Sequence, residues 1–377
     1  MEKRVFLSRC EDYRIDLVIK SVRDILAAFG GAEGLAAQYG KKVLLKPNLV
    51  LAAKPENGAT THPAVMQAIS EEFVACGCQV IIADSPGGPY NPAYLKHTYH
   101  VCGMDQAAEA SGAVLNFDCE ANDVAFPEGV LCQSFPIIKP ILEADLIISV
   151  GKMKTHGLAY VTGSVKNLFG AIPGLTKPAY HSKFPDRVEF CRMLVDVCEC
   201  VKPGFAFVDG IIGMEGRGPV GGTPKPLGLL LGGINPHAVD MAACHAMGIA
   251  PEKAGTIAEA ISRGLIPQKV AELEYLGAPE DRIVSSFIPP IKATSIPIHY
   301  MPKFMQPLLT AMFIPYPVIE TAKCVGCGAC AQSCPQKIIR MENRKAVIDY
   351  NSCIKCYCCH EFCYTKAIEF SRFVKKK

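Results

Sequence analysis

The chain has 377 residues, half of them hydrophobic and a fifth charged, so a large core can form and global disorder is excluded. Its 39 basic and 36 acidic residues give a net charge of only +3, which does not make a nucleic-acid-binding face, and no apolar run approaches the roughly 18 residues of a membrane span. Nineteen cysteines are the anomaly; the start MEKRVFLSRCEDYRID has no signal-like apolar stretch, which predicts a cytoplasmic protein whose cysteines are thiols or metal ligands.

Residues 1 to about 285 repeat a short apolar run, a Gly/Pro/Asn turn and a helical pattern. Predicted strands are Lys42–Leu45, Gln79–Ala83, Ala113–Phe117, Leu146–Val150, Phe205–Asp209 and Leu227–Leu231. Predicted helices are Ile15–Phe29, His62–Cys76, Arg187–Val201, Pro236–Gly248 and Ala254–Arg263. Strands that alternate with helices and are apolar on both faces predict an α/β fold, a largely parallel sheet covered by helices. This core is expected to span residues 1–288.

Several polar residues follow predicted strands, at the edge where open α/β sheets bind ligands. Lys46 and Asn48 follow the first, Asp84 the second and Asp209 a later one. In LIISVGKMKTHGLAYVTGSVKNLFGAIPG, an extended continuation would throw Lys152, Lys154 and His156 onto one side. Gly163-Ser164 then opens a short helical pattern carrying Lys166 and Asn167, whose first amides would add to an anion site. The expected site has Lys154, His156, Lys166 and Asp209 as its reactive groups. Lys46, Asn48, Lys152 and Asn167 would bind an anionic small molecule. A divalent metal held by the carboxylates is an alternative. A strand-end aspartate is as often a turn or cap residue, which applies to Asp84 and Asp240. Gly216-x-Gly218-x-x-Gly221 has dinucleotide-loop letters, yet Pro219, Pro224 and Pro226 stand where a helix should follow. Nicotinamide and flavin therefore have no motif support, although flavin needs none.

KMKTH at 152–156, TGSVKNLFGAIPG at 162–174, KPN at Lys46–Asn48 and YHSKFPD at Tyr180–Asp186 together resemble the DUF362 family. The likeness runs from about Lys41 to Gly248. It implies a fusion to a ferredoxin module, which that family often carries, and no defined activity.

Seven prolines between Pro289 and Pro317 interrupt an apolar stretch, which predicts a connector lying on the protein rather than a solvated linker. Residues 318–377 hold 11 basic and 5 acidic residues and form a separate module. Cys324-x2-Cys327-x2-Cys330-x3-Cys334-Pro335 is repeated as Cys353-x2-Cys356-x2-Cys359-x3-Cys363. Both runs resemble the bacterial ferredoxin signature. That resemblance implies two [4Fe–4S] clusters with crossed ligands: Cys324, Cys327, Cys330 and Cys363 on one, and Cys353, Cys356, Cys359 and Cys334 on the other. Zinc is the structural alternative. Cys358 falls outside the register and reads as a spare thiol. The function expected is an iron–sulfur oxidoreductase that exchanges electrons with a redox partner protein and an anionic substrate. A non-redox metal-assisted or proton-transfer enzyme with structural clusters, and a non-catalytic electron carrier, are the alternatives.

Overall fold

The computed structural model describes residues 2–277, 285–290, 302, 314–371 and 374. The core contains strands β1 (Arg4–Arg9), β2 (Lys42–Pro47), β3 (Gln79–Ile82), β4 (Val114–Leu115), β5 (Ala121–Ala125), β6 (Ser134–Ile138), β7 (Leu146–His156), β8 (Tyr160–Thr162), β9 (Phe205–Glu215), β10 (Thr223–Gly233) and β11 (Glu274–Gly277). Nine of them form one sheet in the order β11-β1-β10-β9-β7-β2-β3-β4, with β8 folded back on β7, while β5 and β6 pair separately. β9, β7, β2, β3 and β4 are parallel; β10 runs against both of its neighbours. This is the largely parallel, helix-covered architecture expected from the alternating pattern.

Side-chain alternation decides what each helix covers. Val43 and Leu45 of β2, Leu146, Ile148 and Val150 of β7, and Phe205 and Phe207 of β9 share one core. Helices α1 (Ile15–Ala27), α2 (Gly31–Tyr39), α3 (Pro63–Ala75), α4 (Pro92–Val101) and α5 (Met104–Ser111) bury their apolar residues there. Leu44, Ala206 and Val208 face the opposite side. There α6 (Lys139–Leu142), α7 (Ser164–Asn167), α9 (Arg187–Val201), α10 (Pro236–Ala246) and α11 (Gly255–Ser262) supply the apolar partners, with α8 (Lys177–Lys183) alongside. Asp186 caps α9 by accepting from the amides of Val188 and Glu189, which is why the helix begins at Arg187.

The tail is a small module of its own. β12 (Tyr316–Ile319) pairs with β15 (Ile368–Ser371), and β13 (Ile339–Glu342) with β14 (Lys345–Ile348). The two cysteine runs have matching backbones. Gly326 and Gly328 lie at φ of 74° and 78°; Lys355 and Tyr357, at equivalent places in the second run, lie at 56° and 61°. Side chains rarely adopt this left-handed region, so the second loop holds a conformation that the glycines of the first take freely.

The tail meets the core at the C-terminal edge of the sheet. Gln336 Nε2 donates to Ser182 Oγ at 3.0 Å, and Arg217 pairs with Glu369. A Cβ added to Gly87 would lie 2.9 Å from the Phe362 ring, so the tail packs closely on backbone. Of the predicted connector, only 289–290, 302 and 314–317 are among the described residues. The packing expected of its remainder lies outside them.

Candidate functional site

β7 continues extended through Lys152, Lys154 and His156, six residues beyond Val150. The three side chains are buried together with Lys46, Asp84, Asn167 and Asp209. Lysines cannot be buried without partners, and each has a different solution.

Lys152 Nζ lies 2.7 Å from both Asp209 Oδ2 and the Tyr13 hydroxyl, and Tyr13 donates to Asp209 Oδ1 at 2.8 Å. The backbone N–H of His62 also donates to Asp209, and the His62 ring stacks on Tyr13 at 3.6 Å. Burial pulls the Lys152 ammonium below its usual range, although Asp209 opposes this. Burial likewise pushes the Tyr13 phenol far up, so the cluster holds a neutral phenol between an ammonium and a carboxylate.

Lys46 has the opposite strand parity. It pairs with Asp84 at 2.6 Å and donates to Asn167 Oδ1 at 3.1 Å. Asn167 in turn donates to the Lys46 carbonyl at 2.9 Å, and Asp84 accepts the Leu49 amide. Lys46 and Lys152 therefore do not meet, and each has its own carboxylate.

Among the described residues, Lys154 has no carboxylate in contact. Its Nζ donates to Asn48 Oδ1 at 2.9 Å and to the Ala59 carbonyl at 2.6 Å. Burial, reinforced by the charges of Lys166 and Lys152, drives its pKa well below the usual lysine range.

His156 Nδ1 accepts the amides of Leu158 and Ala159 at 3.0 and 3.1 Å, which puts the ring proton on Nε2. Nε2 stands 3.0 Å from Oε1 of Glu361, too oblique for a full hydrogen bond. Glu361 comes from the tail, two residues after Cys359. Burial raises its pKa, but His156 and Lys166 outweigh this and hold the carboxyl well below the carboxylate range. The compensating anion demanded by clustered cations is thus a side chain of the ferredoxin-like module. No feature of CCHEFC in isolation marks Glu361 for this role. Lys166, half-buried, rests over the Phe169 ring at 5.8 Å and carries no ion pair among the described residues. His181, 3% exposed and stacked on Phe190 at 4.4 Å, has an unpartnered Nδ1.

The helix start does not behave as expected. The amides of Ser164 and Val165 donate to Asp240 at 2.6 and 3.0 Å, and Ser164 Oγ adds a third bond at 2.8 Å. A Cβ at Gly163 would collide with that carboxylate. The anion expected at this helix start is Asp240 itself, so these amides are unavailable to a ligand. The Gly216–Gly221 run connects β9 to β10 with no helix following, in keeping with its rejection as a dinucleotide loop.

The carboxylates Asp84 and Asp209 are occupied by lysines. A different group, Cys198, Glu199 and His237, brings three donor atoms within 4.8 Å. Glu199 already pairs with His237 at 2.8 Å, and Cys198 is buried in the α9 core.

In the tail, Cys324, Cys327, Cys330 and Cys363 line one cavity of about 330 Å³. Cys334, Cys353, Cys356 and Cys359 line a second, also of about 330 Å³. Four thiols around a compact, mainly apolar space suit a cubane cluster, and the Ala367 amide donating to Cys363 Sγ at 3.2 Å is the kind of bond that tunes one. Cys358 is in neither wall; its hydrogen bond to Cys356 holds that thiol's pKa down.

Burial lowers His62, His156 and His181 to pKa values of about 4, from 6.5. Between those values the unfolded chain binds more protons, so stability rises with pH from about 4 to 6.5 and is lost on acidification. His181→Phe keeps the aromatic stacking and will flatten this dependence by up to about 1.4 kcal/mol per pH unit, measured by urea unfolding across the window. An unchanged slope would show that His181 titrates alike in both states.

The comparisons with known proteins agree with this division. The family model for DUF362, a domain of unknown function, matches residues 43–245, and that for a 4Fe-4S dicluster domain matches 316–364. A thylakoid-associated protein of Synechocystis sp. is 30% identical over 298 residues, 76% of this chain and 88% of that protein. The lactate racemase apoprotein of Thermoanaerobacterium thermosaccharolyticum is similar at 17% identity and a TM-score of 0.42, over 65% of this chain and 57% of that one. A crystallised protein from Thermotoga maritima is similar at 11% identity and a TM-score of 0.33, over 55% of this chain and 52% of that one. No helix among the described residues is long and apolar enough to cross a membrane. The chain belongs to the DUF362 family and carries a C-terminal 4Fe-4S dicluster domain.

Proposed function

We propose that the protein is a cytoplasmic iron–sulfur oxidoreductase that exchanges electrons between a redox partner and an anionic small molecule at the basic edge of the core. In this reading Cys324, Cys327, Cys330 and Cys363 hold one [4Fe–4S] cluster, and Cys334, Cys353, Cys356 and Cys359 hold the other. When bound, such clusters supply single-electron transfer. Cys327 is exposed and Val325 is 53% exposed, so the first cavity faces a docking partner. The second lies toward the core.

The observation that carries the reading is the seating of Glu361, two residues beyond Cys359, 3.0 Å from His156. It puts the second cysteine cavity beside the basic group rather than at a remote end. Lys166 and His181 offer a cation and an unpaired ring nitrogen to an incoming anion. His156 Nε2 holds a proton beside the Glu361 carboxylate. Lys154 is held by Asn48 and the Ala59 carbonyl, while Lys152, Lys46, Asn167 and Asp209 hold the strand ends in place through their own pairs.

The test is turnover of carboxylated and phosphorylated small molecules under anaerobic conditions, with and without dithionite. Activity will require the reductant or an electron acceptor, and Lys166→Ala will lower it about a hundredfold or more with iron content unchanged. Turnover independent of any electron donor or acceptor would replace this reading with the non-redox alternative.

A further inference from the structure

We propose that a cavity at the seam between core and tail binds a planar conjugated ring bearing carbonyl oxygens, the chemistry shared by quinones and the isoalloxazine of flavins. The site adjoins the basic group and shares Glu361 with it. It rests on the functional reading above only in taking Cys334, Cys353, Cys356 and Cys359 as cluster ligands.

The cleft spans about 400 Å³, open solvent included, and draws its walls from both modules. Gly157 and Leu158, after β7, and the β9–β10 connection form one wall; Tyr357, His360 and Phe370 form the other. The aromatic wall is rigid. Phe370 packs edge-on to Tyr357 at 5.0 Å and tilted against His360 at 4.7 Å, and the Tyr357 hydroxyl is fixed on the Pro315 carbonyl at 2.8 Å. On the opposite side, a Cβ added to Gly157 or Gly216 would meet nothing within 4 Å among the described residues. Glycines interspersed with Leu158, Arg217 and Pro219 on one side, facing rings on the other, leave a slot better suited to a flat ligand than to a branched one.

Charge narrows the class. The polar side chains on the wall include Arg217 and Glu361, and Arg217 is already neutralised by Glu369. Among the described lining residues the cation is Arg217, already paired, so an anionic head group would meet Glu361 without an unpaired cation on the wall. An uncharged ring whose carbonyl oxygen accepts from the Arg217 guanidinium fits. Position supports the same class. Tyr357 lines both this cavity and the one formed by Cys334, Cys353, Cys356 and Cys359, so the two spaces share a wall residue. Quinoid and isoalloxazine rings accept electrons one at a time and store two, which matches one-electron donors next door.

The test is equilibrium dialysis of oxidised, cluster-loaded, full-length protein against menadione and, separately, riboflavin, both uncharged. At least one will bind saturably with one site per chain; menadione alone identifies a quinone site, and the flavin alone a flavin site. Gly157→Phe will fill the cavity and weaken binding roughly tenfold or more with iron content unchanged. Arg217→Gln, at a partly exposed position, will weaken it without filling anything. Saturable binding of neither probe, or equal binding by Gly157→Phe, overturns the proposal. A second arm adds dithionite-reduced protein. Two electrons from the clusters and two protons from solvent convert the two carbonyls of menadione to hydroxyls. If menadione binds but is not reduced, the oxidoreductase reading fails and the ring site stands.

Discussion

Asp209→Asn will destabilise the protein by roughly 3–5 kcal/mol, the cost of removing one partner of a buried ion pair. The carboxylate is fully buried and accepts from four donors: Lys152 Nζ, the Tyr13 hydroxyl, and the amides of His62 and Ile211. Donors approach both of its oxygens. An asparagine amide carries one oxygen and one NH2, so whichever way it flips the NH2 faces a donor. The ammonium of Lys152 is meanwhile left without its counter-charge. Lys152→Met alone will be costly for the converse reason, because it strands the carboxylate. The double variant will recover much of either loss, giving a large coupling energy between the two sites. Urea unfolding followed by circular dichroism measures all three. A loss below about 1 kcal/mol for Asp209→Asn would mean that water reaches the site, as at exposed pairs.

Cys334→Ala will remove the cluster of the opposite cysteine run and leave that of its own. Cys334 lies ten residues after Cys324, yet it lines the cavity of Cys353, Cys356 and Cys359. Iron will fall from about eight to about four per chain, and the spin–spin interaction between two reduced clusters will vanish from the electron paramagnetic resonance spectrum. Cys363→Ala will remove the other cluster in the same way. The two variants will differ in one respect. Only the cavity of Cys334 shares Tyr357 with the seam, so Cys334→Ala will also loosen the contact of Glu361 with His156, read as faster amide exchange there. Full iron retention, or equal loss from both cavities, would overturn the crossed pairing. Stoichiometric zinc in the unmodified protein would overturn the cluster assignment itself.

Local signals made much of the fold legible. Arg187–Val201 is a helix with the predicted bounds, because Asp186 caps it and its apolar residues repeat at helical spacing. Lys42, Gln79, Leu146 and Phe205 each open a strand where an apolar run begins. Less legible were elements whose partners are distant. β1 is six residues with arginine at both ends, and it is a strand because β10 and β11 hydrogen-bond to either side of it. β7 outlasts its apolar run by six residues, since Lys152, Lys154 and His156 find buried partners there. The α4–α5 region, rich in polar residues, is helical through capping by Asn91 and packing against α3.

The sequence by itself determined that the chain has an α/β core and a separate iron–sulfur module, because strand periodicity and cysteine spacing are properties of neighbouring residues. It also singled out Lys46, Lys152, Lys154, His156 and Lys166. Tertiary structure alone decided how those charges are compensated, since charge pairing depends on distance in space rather than along the chain. Asp240, 76 residues from Ser164, takes the helix-start amides reserved for a ligand. Strand parity sends Lys46 to Asp84 and Lys152 to Asp209, on opposite sides of the sheet. Glu361, more than 200 residues from His156, joins the basic group because the two modules are docked.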